Sequence, residues 1–446
     1  MDIGALIAGF GGTFWTLAAF VVALSVIVAV HEYGHYIVGR WTGIDAEVFS
    51  IGFGPVLFSR VDRRGTRWQV AALPLGGYVK FVGDANAASV GASETAMLHL
   101  SPEERRRTIH AAPLWARAAT VAAGPVFNFV LSFAIFAGVI MAQGRPADPL
   151  AIDRVAPLPQ AAWGLEPGDR VLAIEGVEAA EGQGLAAYAD GLPSEPVLDW
   201  SVERDGSTLT VPGPHPFPPL VGAVQPRSAA AAAGLRPGDV IEAADGEPIA
   251  DFGQLRAAVE AAEGAAVTLE VWRSGETFEV TLAPREVDVP LPDGGFEQRL
   301  LIGVTGDAAI VPATEFVGPL RALGLGAAQT LFIVQSSLQG MWSIVTGAIS
   351  SCNISGPVGI AQASGQMASQ GVTSFIWFIA VLSTAVGLLN LFPIPILDGG
   401  HLVFHAWEAA TGRPPSERAL RALMGAGLAL LLTLMVFALT NDLFCP

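Results

Sequence analysis

Charge is what this sequence has least of. Only 15% of its 446 residues are Asp, Glu, Lys or Arg, and 52% are apolar. A typical soluble domain carries about 25% charged residues. The shortage is sharpest over residues 322–397, where no charged residue occurs. Soluble domains rarely leave that much chain uncharged, and membrane-embedded ones do so routinely. Positive charge is short as well. With a net charge of −17, the chain lacks the clustered Lys and Arg that nucleic-acid phosphates demand, so nucleic acid is excluded as a partner. Cysteine is nearly absent. Cys352 and Cys445 are the only two, and they show no metal-type spacing. The expectation is two incidental buried thiols, with neither a disulfide nor a cysteine zinc site. The N-terminus also lacks a basic stretch and a small-residue cleavage site. It reads as a retained transmembrane helix.

What is present instead is a set of long apolar runs. A bilayer crossing needs about 20 apolar residues, and four segments supply them: roughly 14–38, 118–141, 374–396 and 422–439. A further apolar stretch, 327–349, is ambiguous by composition. The loop after the first span carries ten of the 24 basic residues, and the loop after the third carries Arg413, Arg418 and Arg421. Residues 144–320 hold 28 acidic and 10 basic residues. The positive-inside rule therefore places both loops in the cytoplasm, and the acidic region and both termini outside.

The acidic region repeats itself. Gly164-Leu165-Glu166-Pro167-Gly168-Asp169-Arg170-Val171 recurs 70 residues later as Gly234-Leu235-Arg236-Pro237-Gly238-Asp239-Val240-Ile241. That period is too long for a solenoid unit and suits a small domain. Each copy reads as a Pro-Gly-Asp turn leading into a strand.

The chemistry sits near the end of the first span, in His31-Glu32-Tyr33-Gly34-His35. Histidines four apart on a helix share a face, so both imidazoles can reach one metal ion. Glu32 lies beside the first of them, placed to act as a base on water. An ionisable cluster inside a bilayer is costly and implies a use. A catalytic zinc wants a third protein ligand and one open position. Asp398 is the best candidate, as the first charge after 76 uncharged residues and the end of the third span. His401 and His405 are rival ligands by type. Pro393 and Pro395 break the helix just before Asp398, and broken backbone at membrane depth must be covered or line a cavity. Asn390 could bond such freed backbone, or that of a substrate. His31, His35 and Asp398 reach the same membrane face only if the 327–349 stretch does not cross. It is expected to pack on or against the membrane surface.

Together these motifs resemble the site-2 protease family of intramembrane zinc metalloproteases, specifically its RseP-type bacterial members. The resemblance covers nearly the whole chain. Two smaller features share it. Gly52-Phe53-Gly54 with the alternation to Tyr78 is similar to the family's membrane-associated β-hairpin loop. Gly124-Pro125-Val126-Phe127-Asn128 resembles its second-helix motif. The Gly-Leu…Pro-Gly-Asp repeats resemble the PDZ domains of bacterial envelope proteases, with Val221, Gly222, Ala223 and Val224 resembling their peptide-binding loop and strand. The resemblance implies a polytopic α-helical membrane protein with four transmembrane helices, a β-hairpin loop and two periplasmic PDZ domains. Its parts would be a membrane core over 1–143, PDZ domains over 144–216 and 217–290, a connector over 291–372, and a second membrane core over 373–446. It implies one zinc ion per chain on His31, His35 and Asp398, Glu32 as the base, and supporting roles for Asn390, Pro393, Pro395, Gly52, Gly54 and Asn128. It also implies a home in the bacterial inner membrane with the active site toward the cytoplasm. Substrates would be single-span membrane proteins such as anti-sigma factors, with remnant signal peptides as a further class and a site-1 protease acting upstream. Two other classes compete: a non-catalytic PDZ scaffold, and a metal permease. The permease is disfavoured by the lack of an inverted repeat.

Overall fold

The computed structural model describes residues 3–84, 101–159, 163–178, 185, 191–225, 228–290 and 296–444. The chain divides into two compact units. One comprises Met1–Ile140, Pro319–Trp342 and Ser351–Cys445, and the other Met141–Gly318 with Ser343–Ser350.

The first unit is built on helices α1 (Ile3–Trp41), α2 (Leu114–Gln143), α3 (Pro319–Val345), α4 (Pro357–Ser369), α5 (Val372–Asn390), α6 (Asp398–Thr411) and α7 (Glu417–Phe444). Among the described residues, four helices are long and apolar enough to cross a membrane: α1 from Gly12, α2, α5 and α7. Between Gly12 and Val30 the polar side chains of α1 are only Thr13, Thr16 and Ser25, so no polar face exists to meet water. Helix α3 holds most of the ambiguous 327–349 stretch and is not one of the four.

The third span differs from its expected bounds. It stops at Asn390, and Asp398 opens α6 instead of closing the span. The prolines are the reason: Pro393 and Pro395 cannot donate to the helical ladder, and each ring crowds the preceding turn. Short turns hold the break, with Ile394 N–H donating to Phe392 O at 2.7 Å and Leu397 N–H to Ile394 O at 2.8 Å.

The expected hairpin is a more folded object. Strands β1 (Ala46–Val61) and β2 (Arg67–Phe81) pair, yet residues 48–51 of β1 are flanked on both sides, by residues 67–70 and by residues 77–80. Both strands bend sharply to achieve this. Gly52 and Gly54 of β1 take φ of 89° and 83°, a conformation that glycine adopts at little cost. A Cβ on Gly52 would also meet the carbonyl oxygens of Ala71 and Leu73 at 2.9 Å. The stretch 77–81 is left on the outside of the sheet, and the far part of β1 exposes Phe53, Val56, Leu57, Phe58 and Val61.

Helices α1, α2 and α5 meet through small and apolar side chains. Ala23, Ile27 and Ile379 form a buried cluster with Ile135, Phe375, Leu382 and Val386. The Ser132 hydroxyl donates to Ala380 O at 2.8 Å, and that of Ser383 to Asn128 O at 2.9 Å. Without much hydrophobic drive between helices in lipid, such close contacts and hydrogen bonds do the holding. The C-terminal end of α7 is tied to α4: Asp442 accepts from the N–H groups of Gly356, Val358 and Gly359 at 2.9–3.0 Å, a carboxylate cap on a helix N-terminus. Close by, Cys352 is disulfide-bonded, which overturns the expectation of two free thiols. The chain's other cysteine is Cys445.

The second unit contains the two repeats. In the first, β3 (Arg170–Ile174), β4 (Val197–Arg204) and β5 (Ser207–Pro214) form a sheet with the short strand Val177–Glu178 at its edge. The second repeat opens with β6 (Val221–Val224). Its four-stranded sheet has the same order, with Glu247–Pro248 beside β7 (Val240–Ala244), β8 (Val267–Arg273) and β9 (Glu276–Leu282). Each has its own core, around Trp200 and Ile174 in one and Ile241 and Leu269 in the other.

The repeated Pro-Gly-Asp has a structural purpose in both copies. Gly168 and Gly238 take φ of 95° and 92°, and the following Asp turns inward onto an arginine. Arg204 donates to Asp169 at 2.6 and 2.7 Å and to Gly164 O at 2.7 Å. Arg273 does the same with Asp239 at 2.6 and 2.7 Å and Gly234 O at 2.9 Å. Bidentate pairs of this kind are the strong class of ion pair.

The expected connector is not separate from the repeats. Strand β10 (Val304–Gly306) pairs with β6, Ile310–Pro312 pairs with Ile152–Val155, and Thr314–Glu315 pairs with Arg145–Pro146. The chain thus returns through both repeats, supplying each with a strand that its contiguous segment lacks. An unpaired edge is a liability, and this return covers it. Val221–Val224 pairs along one flank with the returning strand in a two-stranded sheet. At its start, Val221 also bonds Gly238 and Asp239 on the opposite flank from β10.

The Asp169–Arg204 pair makes a test of this packing. Hydrogen bonds from Arg204 hold the Asp169 carboxyl below its ordinary range. A carboxyl depressed in the folded state stabilises above about pH 4 and loses that contribution as pH falls. Arg204→Met is expected to destabilise the first repeat at neutral pH, by leaving the Asp169 carboxylate without its partner. It should also flatten the pH dependence between about pH 5 and 2. Hydrogen exchange of the β3 and β4 amides in the full chain at pH 7 and pH 3 reads both effects. Equal protection of the two proteins at pH 7 would contradict the assignment.

Candidate active site and metal centre

His31 and His35 lie one turn apart on α1, and their rings face α2 and the start of α6. The Nε2 atoms of the two histidines are 3.2 Å apart. Asp398 Oδ2 stands 3.2 Å from His31 Nε2 and 3.5 Å from His35 Nε2. Among the described residues, these three side chains form the cluster whose geometry could hold a metal ion. Zinc bonds of about 2.0–2.1 Å in a tetrahedron set neighbouring donors roughly 3.3 Å apart, which matches the observed edges.

Hydrogen bonding on the far side of each ring supports the same reading. His35 Nδ1 is 2.9 Å from Thr120 O, which can only accept, so Nδ1 carries the proton and Nε2 keeps its lone pair. His31 Nδ1 is 3.2 Å from the side-chain amide of Asn128, whose buried Oδ1 has no partner. Turning that amide about its terminal bond satisfies both groups, with Nδ1–H donating to Oδ1 and Nε2 again left bare. Asp398 Oδ2 is also buried and without a hydrogen bond. Three electron pairs thus converge with no proton among them. A bound cation is what such a cluster requires, and two nitrogens with one carboxylate suit zinc.

Close backbone approach makes this geometry possible. A Cβ on Gly124 would collide with the ring of His35 and come within 2.9 Å of His31 Cε1. A Cβ on Gly34 would meet Ala123 O at 2.5 Å. Only glycine at both points lets α1 and α2 approach this closely. On the other wall, Gly399 and Gly400 are buried against the carbonyls of Leu391, Phe392 and Ile394, so α6 folds straight back from the proline break. Its far end is clamped by Arg117 of α2, which donates to both carboxylate oxygens of Glu408, at 2.6 and 3.1 Å.

A cavity of about 250 Å³ opens beside the cluster. His31, Glu32, His35, Asn390, Asp398 and His401 contribute its polar wall, and residues 77–79 border it as the outside stretch of the β-sheet. The main chain of Val79 is within hydrogen-bonding reach of the Glu32 carboxylate. Asn390 turns its amide nitrogen to Val386 O at 3.0 Å, within its own helix.

Of the residues expected from sequence, His31, Glu32, His35, Asp398 and Asn390 come together here, and Asn128 stands directly behind His31. Pro393 and Pro395 shape the break without lining the cavity. Gly52 and Gly54 bend β1 at a distance from it. His401 lines the cavity outside the metal cluster, and His405 does neither. Thr120, Gly124 as a backbone contact and the Arg117–Glu408 clamp went unforeseen. Each acts through a contact across more than 80 residues of chain, which no local pattern encodes.

Comparison with known proteins agrees with this chemistry. Residues 19–434 match the family model described as Peptidase family M50. A "Putative zinc metalloprotease" of Rhizobium meliloti is 38% identical over 430 residues, covering 96% of each chain. One of Agrobacterium fabrum is 37% identical over 431 residues, covering 96% of this chain and 95% of its own. The "Regulator of sigma-E protease RseP" of Salmonella typhimurium is 35% identical over 461 residues, covering 96% and 98%.

Two substitutions test the construction of the metal centre. Gly124→Val is expected to eliminate zinc binding by displacing the imidazoles. Asn128→Leu should leave the fold intact and weaken zinc affinity about 10–100-fold, the usual effect of removing the partner behind a ligand. Chelator competition on purified protein measures both. An unchanged affinity in Asn128→Leu would show that His31 needs no partner behind it.

Proposed function

From the premise that the chain belongs to peptidase family M50, whose members are zinc metalloproteases, we propose that it cleaves peptide bonds within the transmembrane segments of membrane proteins. The observation that carries this reading is the position of the cluster. His31, Glu32 and His35 lie on a helix apolar enough to span a membrane, beside a cavity bordered by an outside strand.

The chemistry follows from the residues. A zinc ion held by His31, His35 and Asp398 would supply a Lewis acid and an acidified water. Glu32 takes the proton from the attacking water and returns it to the leaving amine. Thr120 and Asn128 keep the ring nitrogens facing the cluster in the required tautomer. Residues 77–79 present main-chain groups to a substrate, which can add as a further strand once its helix is locally unwound. Unwinding must come first, because a helix engages its own carbonyls in internal hydrogen bonds. Pairing through backbone groups leaves the side-chain sequence of the substrate largely free.

The same reading places the chain in a bacterial inner membrane, with the site toward the cytoplasm and the two repeats outside as PDZ domains. The basic loops beside the acidic middle region support that orientation. So does the disulfide at Cys352, since such bonds persist in oxidising compartments. Single-span proteins such as anti-sigma factors are the expected substrates, released after a first cut by another protease. Peptide addition to the second repeat would use Val221–Val224.

Glu32→Gln beside the wild type is the deciding experiment. Purified wild type is expected to cleave a single apolar span placed between two soluble tags. The variant should retain its zinc and lose at least about 10³-fold in rate. Equal processing by both proteins would end the protease reading in favour of a scaffold.

A further inference from the structure

Peptide hydrolysis makes two demands on a site besides holding the metal. One is a base for water, which Glu32 meets. The other is a hydrogen-bond donor aimed at the carbonyl oxygen, which gains a full negative charge in the tetrahedral intermediate. The polar groups of the cavity wall can be taken in turn. His31 and His35 are committed on both ring nitrogens, to the metal cluster and to Asn128 and Thr120. The Thr120 hydroxyl donates to Ala116 O at 2.8 Å. Gln69 donates to the Tyr78 hydroxyl at 3.2 Å, and one N–H of the Asn390 amide donates to Val386 O, so each keeps one further proton on a side chain anchored by a neighbour.

His401 is left. It lines the cavity, and among the described residues no hydrogen bond or ion pair engages its ring. Its contact is an edge-on one with Phe404, centroids 6.0 Å apart. It lies three residues after Asp398 on α6, hence on the same helix face as that carboxylate. The buried glycines and the Arg117–Glu408 clamp that fix Asp398 fix His401 too. An imidazole carries at least one N–H in either protonation state.

The geometry points to His401 as a catalytic residue that donates a hydrogen bond to the substrate oxyanion. When water attacks, the new C–O bond forms and the carbonyl π pair moves to its oxygen. The water proton passes to Glu32, and His401 stabilises the oxyanion without transferring a proton. Collapse restores the carbonyl and breaks the C–N bond, and Glu32 delivers its proton to the amine. A carboxyl and an amine terminus result.

This inference rests on the protease reading, and one experiment separates the two. Wild type, His401→Phe and His401→Gln are assayed on the tagged single-span fusion, with zinc affinity measured by chelator competition. The phenyl ring fills the space without a donor, whereas the glutamine amide restores an N–H near the position of Nε2. His401→Phe should lower kcat about 10²–10³-fold, with KM and zinc affinity within about twofold of wild type. His401→Gln should recover at least about tenfold of that loss. A kcat for His401→Phe within about threefold of wild type would overturn the inference and leave Asn390 as the donor. Weakened zinc binding, or a loss confined to KM, would overturn it by making His401 a ligand or a packing residue. A glutamine variant no better than phenylalanine would also count against it. A wild type that cleaves nothing defeats the protease reading itself, whereas an active wild type with an equally active His401→Phe defeats this inference alone.

Discussion

Three lone pairs that face one another in a dry interior cannot stay uncompensated. His31 Nε2, His35 Nε2 and Asp398 Oδ2 lie within 3.5 Å of each other, and the rest of the membrane unit is arranged around that demand. Two donors come from one helix, where the four-residue spacing is automatic. The third arrives from nearly 370 residues away and has to be delivered. Every unusual backbone feature near the site serves the delivery: the break after Asn390, the paired glycines after Asp398 and the close approach of α1 to α2 at Gly34 and Gly124.

The repeats solve a different problem with a related device. Asp169 and Asp239 are buried carboxylates, and each is satisfied by one arginine and a main-chain N–H. No metal is called for there, because the partner cation is covalently part of the fold. Among the described residues no lysine or arginine pairs with Asp398. Arg117, the basic residue of α2, is paired with Glu408. Keeping that guanidinium away from Asp398 leaves the carboxylate for the metal, since an arginine paired to it would compete directly for the same lone pairs.

How far the sequence discloses all this depends on the range over which each feature is encoded. The His31–His35 spacing is local, so a helix and a shared metal follow from five residues. The Pro-Gly-Asp turns are also local, and both lie where the repeat places them. The end of the third span was misjudged because apolar residues run on to Leu397, and hydropathy does not register that Pro393 and Pro395 remove the donors a helix needs. The return of residues 304–315 through both repeats left no signal, because short edge strands are specified by the partner they complete. The disulfide at Cys352 escaped notice for a similar reason: two cysteines far apart in sequence carry no spacing to read. Asn128 was visible only as part of a family-like motif. Its task became apparent once it was seen behind His31.

The break between α5 and α6 bears on function in a second way. Non-helical backbone within a membrane is tolerated where protein covers it or where it lines a polar cavity. Here residues 396–398 line the cavity that also holds Glu32, so the environment that shelters the protein's own unwound segment is the one an unwound substrate would enter. Asn390 covers the end of α5 by bonding Val386 O, and residues 77–79 supply main-chain groups on the opposite wall. A substrate helix that opens beside this cavity therefore exchanges internal hydrogen bonds for an outside strand, where lipid would offer none. Under the proposed intramembrane reading, the cost of unwinding, which lipid alone would make prohibitive, would be offset where the scissile bond meets Glu32, and cleavage would be confined to segments that can reach that strand.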